Sequence, residues 1–143
     1  MATSGLSVFD TTIQETNKWL NDISSEMGDS RKKVAYHALR GVLFALRDRL
    51  PFEALFDLTA QMPLLVRGIF FEGYQVTGKP VKFHKEEFFR RVGKELEPAG
   101  YLNSEAATKA VLHVLNKYIS LGESEDIRAI LTKDLRELWA ENI

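Results

Sequence analysis

Apolar residues recur along this chain at the three- and four-residue intervals that place side chains on one face of an α-helix. The first such stripe consists of Phe9, Ile13, Leu20, Ile23 and Met27. Ser7 and Asp10 have the spacing of a capping box near its start, and Gly28 is typical of a helix C-terminus. We therefore predict a long amphipathic helix that ends at Met27.

Prolines, glycines and capping residues divide the rest of the chain into seven further helices. The first five cover residues 30–50, 52–62, 63–71, 85–96 and 104–118. A seventh helix follows the capping box of Ser120 and Glu123, and Thr132 is the predicted N-cap of an eighth. Residues 73–84 contain two glycines and a proline and are predicted to form a connector with at most a short extended piece. The predicted fold class is all-α.

A single constant shift, which places Leu43 on Leu112, aligns the first half of the chain with the second half without a gap. Nine identities fall between positions 12 and 72 and their equivalents, among them Arg67 with Arg136. Apolar stripes and helix starts coincide at the same shift. The sequence thus predicts one domain, 1–143, built from two four-helix repeats at about 9–72 and 78–141. A repeat of this size is marginal alone, so we expect both to share one core about a pseudo-twofold axis.

The composition of the chain is that of a globular protein. The chain has 143 residues, of which 45% are hydrophobic and 27% charged, with a net charge of −1, and these are globular values. No apolar run is long enough for a membrane span. The absence of cysteine excludes disulfides, thiol catalysis and cysteine zinc sites. Since the N-terminus also lacks the pattern of a secretory signal, we expect a cytoplasmic protein.

Catalytic signatures are missing from the sequence. It contains no nucleophile elbow, no phosphate-binding loop and no dinucleotide-binding glycine motif. His37, His84 and His113 lack the spacing of metal ligands. We therefore predict no catalytic residue, no metal and no cofactor, and the question of enzyme activity stays open with a preference for a non-enzyme.

The first repeat carries polar residues that the second mostly lacks. The ligand-binding candidates are His37, Arg40, Arg47, Arg49, Gln61, Arg67 and Tyr74. Arginines that converge on a cleft would suit a phosphate or a carboxylate. Structural roles are the alternative, since Arg47 and Arg49 lie in the last turn of a helix, where cations offset the helix dipole.

The first repeat is also the more apolar of the two. The interaction-surface candidates are Leu55, Phe56, Leu64, Leu65 and Phe71. Four of their equivalents in the second repeat are polar or charged, for example Glu125 for Phe56. This surplus is buried either against the other repeat or against a protein partner, which could be a second copy of the chain in a dimer.

A nucleic-acid surface is the weakest of the three hypotheses. Residues 79–94 contain six basic residues and two acidic ones, with phenylalanines between them. Phe88 and Phe89, however, align with Trp19 and Leu20, which occupy core-type positions. They are therefore predicted to pack inside the fold and not to stack on bases.

Four segments together resemble a known bacterial family. They are AYHALRGVLFALRDRL at 35–50, AQMPLLVRG at 60–68, GKP at 78–80 and LRELW at 135–139. The chain resembles domain-of-unknown-function family 2267 from about Phe9 to Trp139. The resemblance implies a soluble, all-helical bacterial protein and supplies no reaction, substrate or cofactor. We expect a non-catalytic protein-interaction module, with small-anion or small-molecule binding, or catalysis, by the first-repeat arginines as the alternative.

Overall fold

A computed structural model describes residues 4–143, which form eight α-helices and one short 3-10 helix. The α-helices are α1 (Ser7–Met27), α2 (Lys32–Arg49), α3 (Phe52–Thr59), α4 (Leu64–Phe71), α5 (Lys85–Leu96), α6 (Ser104–Tyr118), α7 (Leu121–Ile130) and α8 (Lys133–Ala140). The 3-10 helix, Glu97–Ala99, lies between α5 and α6. Residues 4–143 contain no β-strand, so the all-α prediction and its eight helices are confirmed.

Helix α2 is the centre of the fold. It packs most extensively against α5, and also against α1, α6 and α4. Its Leu39, Val42 and Leu43 are completely buried. One hydrophobic cluster joins side chains from both halves of the chain, including Trp19 from α1 and Trp139 from α8. The two halves therefore share a single core.

Gly41 of α2 lies at a close approach between two helices. A Cβ atom at this position would lie 3.3 Å from both Cα and the carbonyl oxygen of Val92 in α5. It would also lie 3.2 Å from Cβ of Glu95. Glycine thus allows the backbones of α2 and α5 to pack together without side chains between them.

The helix bounds of the two halves agree at the predicted shift. The ends of α1 and α2 fall on the ends of α5 and α6, and α4 matches α8 at both ends. The packing agrees as well. Helix α1 contacts α2, α4 and α6, and its equivalent α5 contacts the equivalents of these three helices, which are α6, α8 and α2. These matches support the predicted repeat, and a duplication as its origin stays a prediction.

Local details at the helix termini differ from the sequence predictions. The capping box at Ser7 and Asp10 is wrong, because α1 already begins at Ser7 and the Asp10 carboxylate accepts from the backbone N–H of Ser4 at 2.8 Å. Half of the capping box of Ser120 and Glu123 forms: Ser120 caps α7 by accepting from the N–H of Glu123 at 3.1 Å, while the N–H of Ser120 donates to Gln61 and not to the Glu123 carboxylate. Helix α3 ends at Thr59, three residues earlier than predicted. The early end of α3 has a chemical cause, since Pro63 has no N–H to donate to the Thr59 carbonyl.

Candidate functional site

Arg47 is buried at the end of α2 and stabilises the end of α4. Its guanidinium donates to the carbonyl oxygen of Phe70 at 2.9 Å and to that of Glu72 at 2.5 Å. It also stacks on the ring of Phe44, with 3.8 Å between the guanidinium carbon and the ring centroid. Burial lowers the pKa of Arg47, because a charged group loses hydration there. The side chain therefore serves the last, unpaired carbonyls of a helix.

Arg40 lies two turns earlier in α2, and its guanidinium also lies over the Phe44 ring. It pairs with Glu72 and, at 2.7 Å, with Glu95 of α5. His37 Nδ1 lies 3.4 Å from the same Glu95 carboxylate. Two carboxylates thus face Arg40, so its charge is compensated within the chain.

Arg49 and Arg67 also bind backbone carbonyls. Arg49 is buried and donates to the carbonyl oxygen of Phe83 at 3.3 Å, which holds the connector before α5. Arg67 donates to the carbonyl oxygens of Thr59 at 3.1 Å and Met62 at 3.2 Å. Arg49 thus holds the connector before α5, and Arg67 holds the turn between α3 and α4.

Gln61 and Tyr74 occupy separate parts of the surface. The Gln61 side chain accepts from the backbone N–H of Ser120 at 2.7 Å and so links the two halves of the chain. The Tyr74 ring lies 6.3 Å from that of Phe71, and its pKa is raised by burial. Arg47 lies 5.6 Å from the Tyr74 ring centroid.

The seven ligand-binding candidates therefore do not line one cleft. Arg47, Arg49 and Arg67 bind carbonyl oxygens, and Arg40 binds carboxylates. Arg40 and Arg47 lie over the same Phe44 ring and both reach Glu72, whereas Arg49, Gln61 and Arg67 bind other parts of the chain.

Asp48 is a polar centre that the sequence reasoning missed. Its carboxylate lies 3.0 Å from Arg91 and 3.8 Å from Lys79, and its carbonyl oxygen accepts from the N–H of Val81 at 2.7 Å. The signal was its position between Arg47 and Arg49. Arg47 Nε lies 3.9 Å from this carboxylate, and the connector and α5 supply two further cations, Lys79 and Arg91.

The interaction-surface candidates separate into exposed and buried residues. Phe56, Leu64 and Leu65 are exposed, at 54%, 51% and 42% of their surface, and Phe71 is half-buried. Leu55 is completely buried, so its assignment to the surface is wrong. It faces the core because it lies about 100° around α3 from Phe56 and one turn before the buried Leu58.

Aromatic rings form a continuous row across α3, α4 and the residues that follow α4. The ring centroids of Phe52 and Phe56 are 5.0 Å apart, those of Phe56 and Phe71 6.1 Å, and those of Phe71 and Tyr74 6.3 Å. Leu64 lies two turns before Phe71 on the same side of α4. We call this surface the aromatic face; it consists of Phe52, Phe56, Leu64, Phe71 and Tyr74. Phe52 was not predicted, although its spacing from Phe56 indicates a shared helix side.

Leu65 faces a different part of the surface. It lines a groove of about 370 Å³ between α1, α2 and α4, together with Ile13, Leu20 and Ile69. The backbone N–H of Leu65 donates to the Thr12 hydroxyl at 2.9 Å, which fixes α4 against α1. Leu65 is therefore not part of the aromatic face.

The basic stretch at 79–94 is partly neutralised. Arg90 and Arg91 both bind Glu87, at 2.7 and 2.9 Å, and Arg91 also binds Asp48. Phe88 is buried in the core, as its alignment with Trp19 predicted. Lys82, Lys85 and Lys94 are the exposed lysines of this stretch.

Neither a metal site nor a membrane span occurs in residues 4–143. No group of three or more histidine, aspartate or glutamate side chains there is arranged to hold a metal ion. Within the same range, every helix is too short or too polar to cross a membrane.

Comparison with known proteins gives a family and no activity. No curated protein matches the chain. One family model, described as an uncharacterised conserved protein (DUF2267), matches residues 16–138, a range that begins within α1 and ends within α8. Because this match covers most of the chain and both halves of the fold, the protein belongs to the DUF2267 family.

Proposed function

We propose that this protein is a non-catalytic interaction module of the bacterial cytoplasm, which binds another protein through the aromatic face. The observation that carries the proposal is the exposure of Phe56, more than half of whose surface is open to water while its ring contacts those of Phe52 and Phe71. Contiguous apolar surface of this kind is uncommon on monomers and typical of contact sites. Aromatic residues are also enriched at the centres of protein interfaces.

The second half of the chain supports this reading. At the positions equivalent to Phe56, Leu64 and Phe71 it has Glu125, Lys133 and Ala140. Helices α7 and α8 nevertheless occupy the places in their half that α3 and α4 occupy in theirs. The fold therefore does not require large apolar side chains at these exposed positions, and their presence in one half calls for a role other than folding.

The arginine-based alternative has less support. The four arginines among the ligand-binding candidates bind groups of the chain itself, and they explain the order of α4 and of the connector. We therefore place the function on the apolar surface and not on a guanidinium cleft.

The proposal is tested by association of the purified chain and its binding to partners in a lysate. The variant Phe56→Glu places a charge at the centre of the aromatic face, and Leu102→Glu is the matched control at an isolated leucine that is 89% exposed. We expect light scattering across a range of concentrations, or affinity capture followed by mass spectrometry, to detect a complex that F56E loses and L102E keeps. A strict monomer without a partner that depends on Phe56 would overturn the proposal.

A further inference from the structure

Two carboxylates run beside the aromatic face along α3. Glu53 follows Phe52, and Asp57 follows Phe56. The two acidic residues therefore lie one turn apart on the exposed side of the helix, next to the two phenylalanines. Both acidic residues are exposed. Neither has a cation partner within residues 4–143, whereas Asp48, Glu72 and Glu95 each bind an arginine.

A third carboxylate, that of Glu123, lies near Asp57 on the neighbouring helix α7, which packs against α3. Only 7% of Glu123 is exposed, and among the described residues its carboxylate has neither a hydrogen-bond donor nor a cation. Asp57 and Asp126 are close enough to act on it electrostatically, and both raise its pKa, as burial also does. Three carboxylates therefore lie near the contact between α3 and α7, and we call them the acidic cluster: Asp57, Glu123 and Asp126.

Burial of Glu123 disfavours its charged form, because the side chain loses part of its hydration and no donor or cation among the described residues replaces it. Its carboxylate oxygens keep some contact with water, so a group from outside can still reach them. The helix dipole at the start of α7 offsets part of this cost. A neutral residue would serve the fold better at this position, as Ala54 does at the equivalent place in α3. The carboxylates of Asp57, Glu123 and Asp126 thus form a site that a positively charged group from another molecule would stabilise.

We infer that the partner of the aromatic face is an amphipathic, basic helix, whose apolar side chains cover Phe52, Phe56 and Phe71 and whose lysines or arginines reach Asp57 and Glu123. This inference rests on the proposed function and names the chemistry of its partner. Apolar contact supplies affinity, and the carboxylates supply selectivity for a basic sequence.

A second copy of the chain fits this surface less well. The exposed lysines of the basic stretch, Lys82, Lys85 and Lys94, have no exposed large apolar side chain beside them in α5. Helix α5 therefore lacks the exposed apolar face that would let it cover the aromatic face of a second copy.

Two synthetic amphipathic peptides of equal length test the inference. They share one leucine face, and their polar face is lysine in one peptide and glutamate in the other. With the full-length protein and fluorescence anisotropy as the readout, we expect the lysine peptide to bind at least about tenfold more tightly than the glutamate peptide and to weaken as salt is added. F56E should lose this binding, and L102E should retain it.

The double variant Asp57→Asn with Glu123→Gln isolates the charge. It should reduce binding of the lysine peptide by about tenfold and leave the glutamate peptide unchanged or improved. The control double variant Glu15→Gln with Glu86→Gln removes the same number of carboxylates from exposed positions on α1 and α5 and should bind like the unaltered protein.

The outcomes separate this inference from the proposed function. Equal binding of both peptides that F56E abolishes would overturn the basic partner and leave the interaction module standing. A dimer of the chain that depends on Phe56 would overturn it too, since the occupant would then be a second copy. No binding of the lysine peptide also overturns it, and the proposed function is then decided by the association test alone.

Discussion

Arg67 and Arg136 occupy equivalent positions in the two halves of the chain and make the same pair of hydrogen bonds. Arg67 Nε donates to the carbonyl oxygen of Thr59, and Arg136 Nε to that of Arg128. Their Nη2 atoms donate to the carbonyl oxygens of Met62 and Leu131, at 3.2 and 3.1 Å. The acceptors are equivalent in the predicted repeat as well. Each arginine thus folds back from α4 or α8 onto the end of the preceding helix.

Arg67→Ala and Arg136→Ala are expected to destabilise the protein by similar amounts, about 1 kcal/mol each, because each removes two hydrogen bonds to carbonyls near the surface. Urea unfolding measures the difference. Arg90→Ala is the control, since it breaks only an exposed ion pair, which solvent screens, and should cost less than either of the two variants. A loss confined to one of the two arginines would contradict their equivalence.

Arg47→Met keeps the length of the side chain and removes its donors. We expect a loss of about 2–4 kcal/mol, because the buried carbonyl of Phe70 and the half-buried carbonyl of Glu72 would both lose their donor. Arg47→Lys should also destabilise, since one ammonium cannot reproduce the planar fork stacked on Phe44. Denaturant titration gives both values. Full stability of the lysine variant would show that charge alone is sufficient.

Gly41→Ala should destabilise the protein by about 1–3 kcal/mol, because the new methyl group meets the backbone of Val92 and α2 and α5 would have to separate. Gly68→Ala is the matched control within another helix. Nothing lies within 4 Å of a Cβ atom there, so this change should stabilise α4 by about 0.5–1 kcal/mol. Thermal unfolding of the two variants distinguishes close packing from helix propensity.

Glu123→Gln should stabilise the protein at neutral pH. The pKa of Glu123 is raised above its usual value of 4.5 in the folded state, so the folded protein binds this proton more tightly than the unfolded chain does. The unaltered protein therefore loses stability relative to the variant as pH rises from the unfolded pKa through the folded one. We expect the melting temperatures to agree well below pH 4.5 and the variant to melt higher at pH 7. A variant that melts lower at pH 7 would mean that the carboxylate has a stabilising partner.

Most of the helices were predictable because prolines and glycines, which are recognisable in the sequence, mark where they end. Pro51 and Gly28 end α2 and α1 where their backbone geometry requires, and the apolar stripes are long enough to fix the helical period. The ends of the short helices were harder to predict. The residues after Thr59 leave the α-helix because Pro63, four residues on, has no N–H to donate to the Thr59 carbonyl. That carbonyl accepts instead from the N–H of Met62 and from the Arg67 guanidinium.

Leu55 shows why the candidate surface was predictable only in part. Its equivalent is Ser124, and the contrast between leucine and serine suggested an exposed apolar surplus. Ser124 is buried too, however, and its hydroxyl accepts from Trp139 Nε1 at 2.7 Å. Trp139 is the equivalent of Phe70. The second half therefore combines a small serine with a large tryptophan, and the first half combines a larger leucine with a smaller phenylalanine. The difference reflects core volume, and sequence alone does not separate that from an interface.

The contact between α2 and α5 determines how the two halves depend on each other. Each belongs to a different half, and each packs more extensively against the other than against any further helix. The connector 73–84 is therefore a tether that holds two mutually binding surfaces at high effective concentration. If the chain were cleaved within this connector, the two halves would have to associate by diffusion, and the stability of the protein would then depend on its concentration.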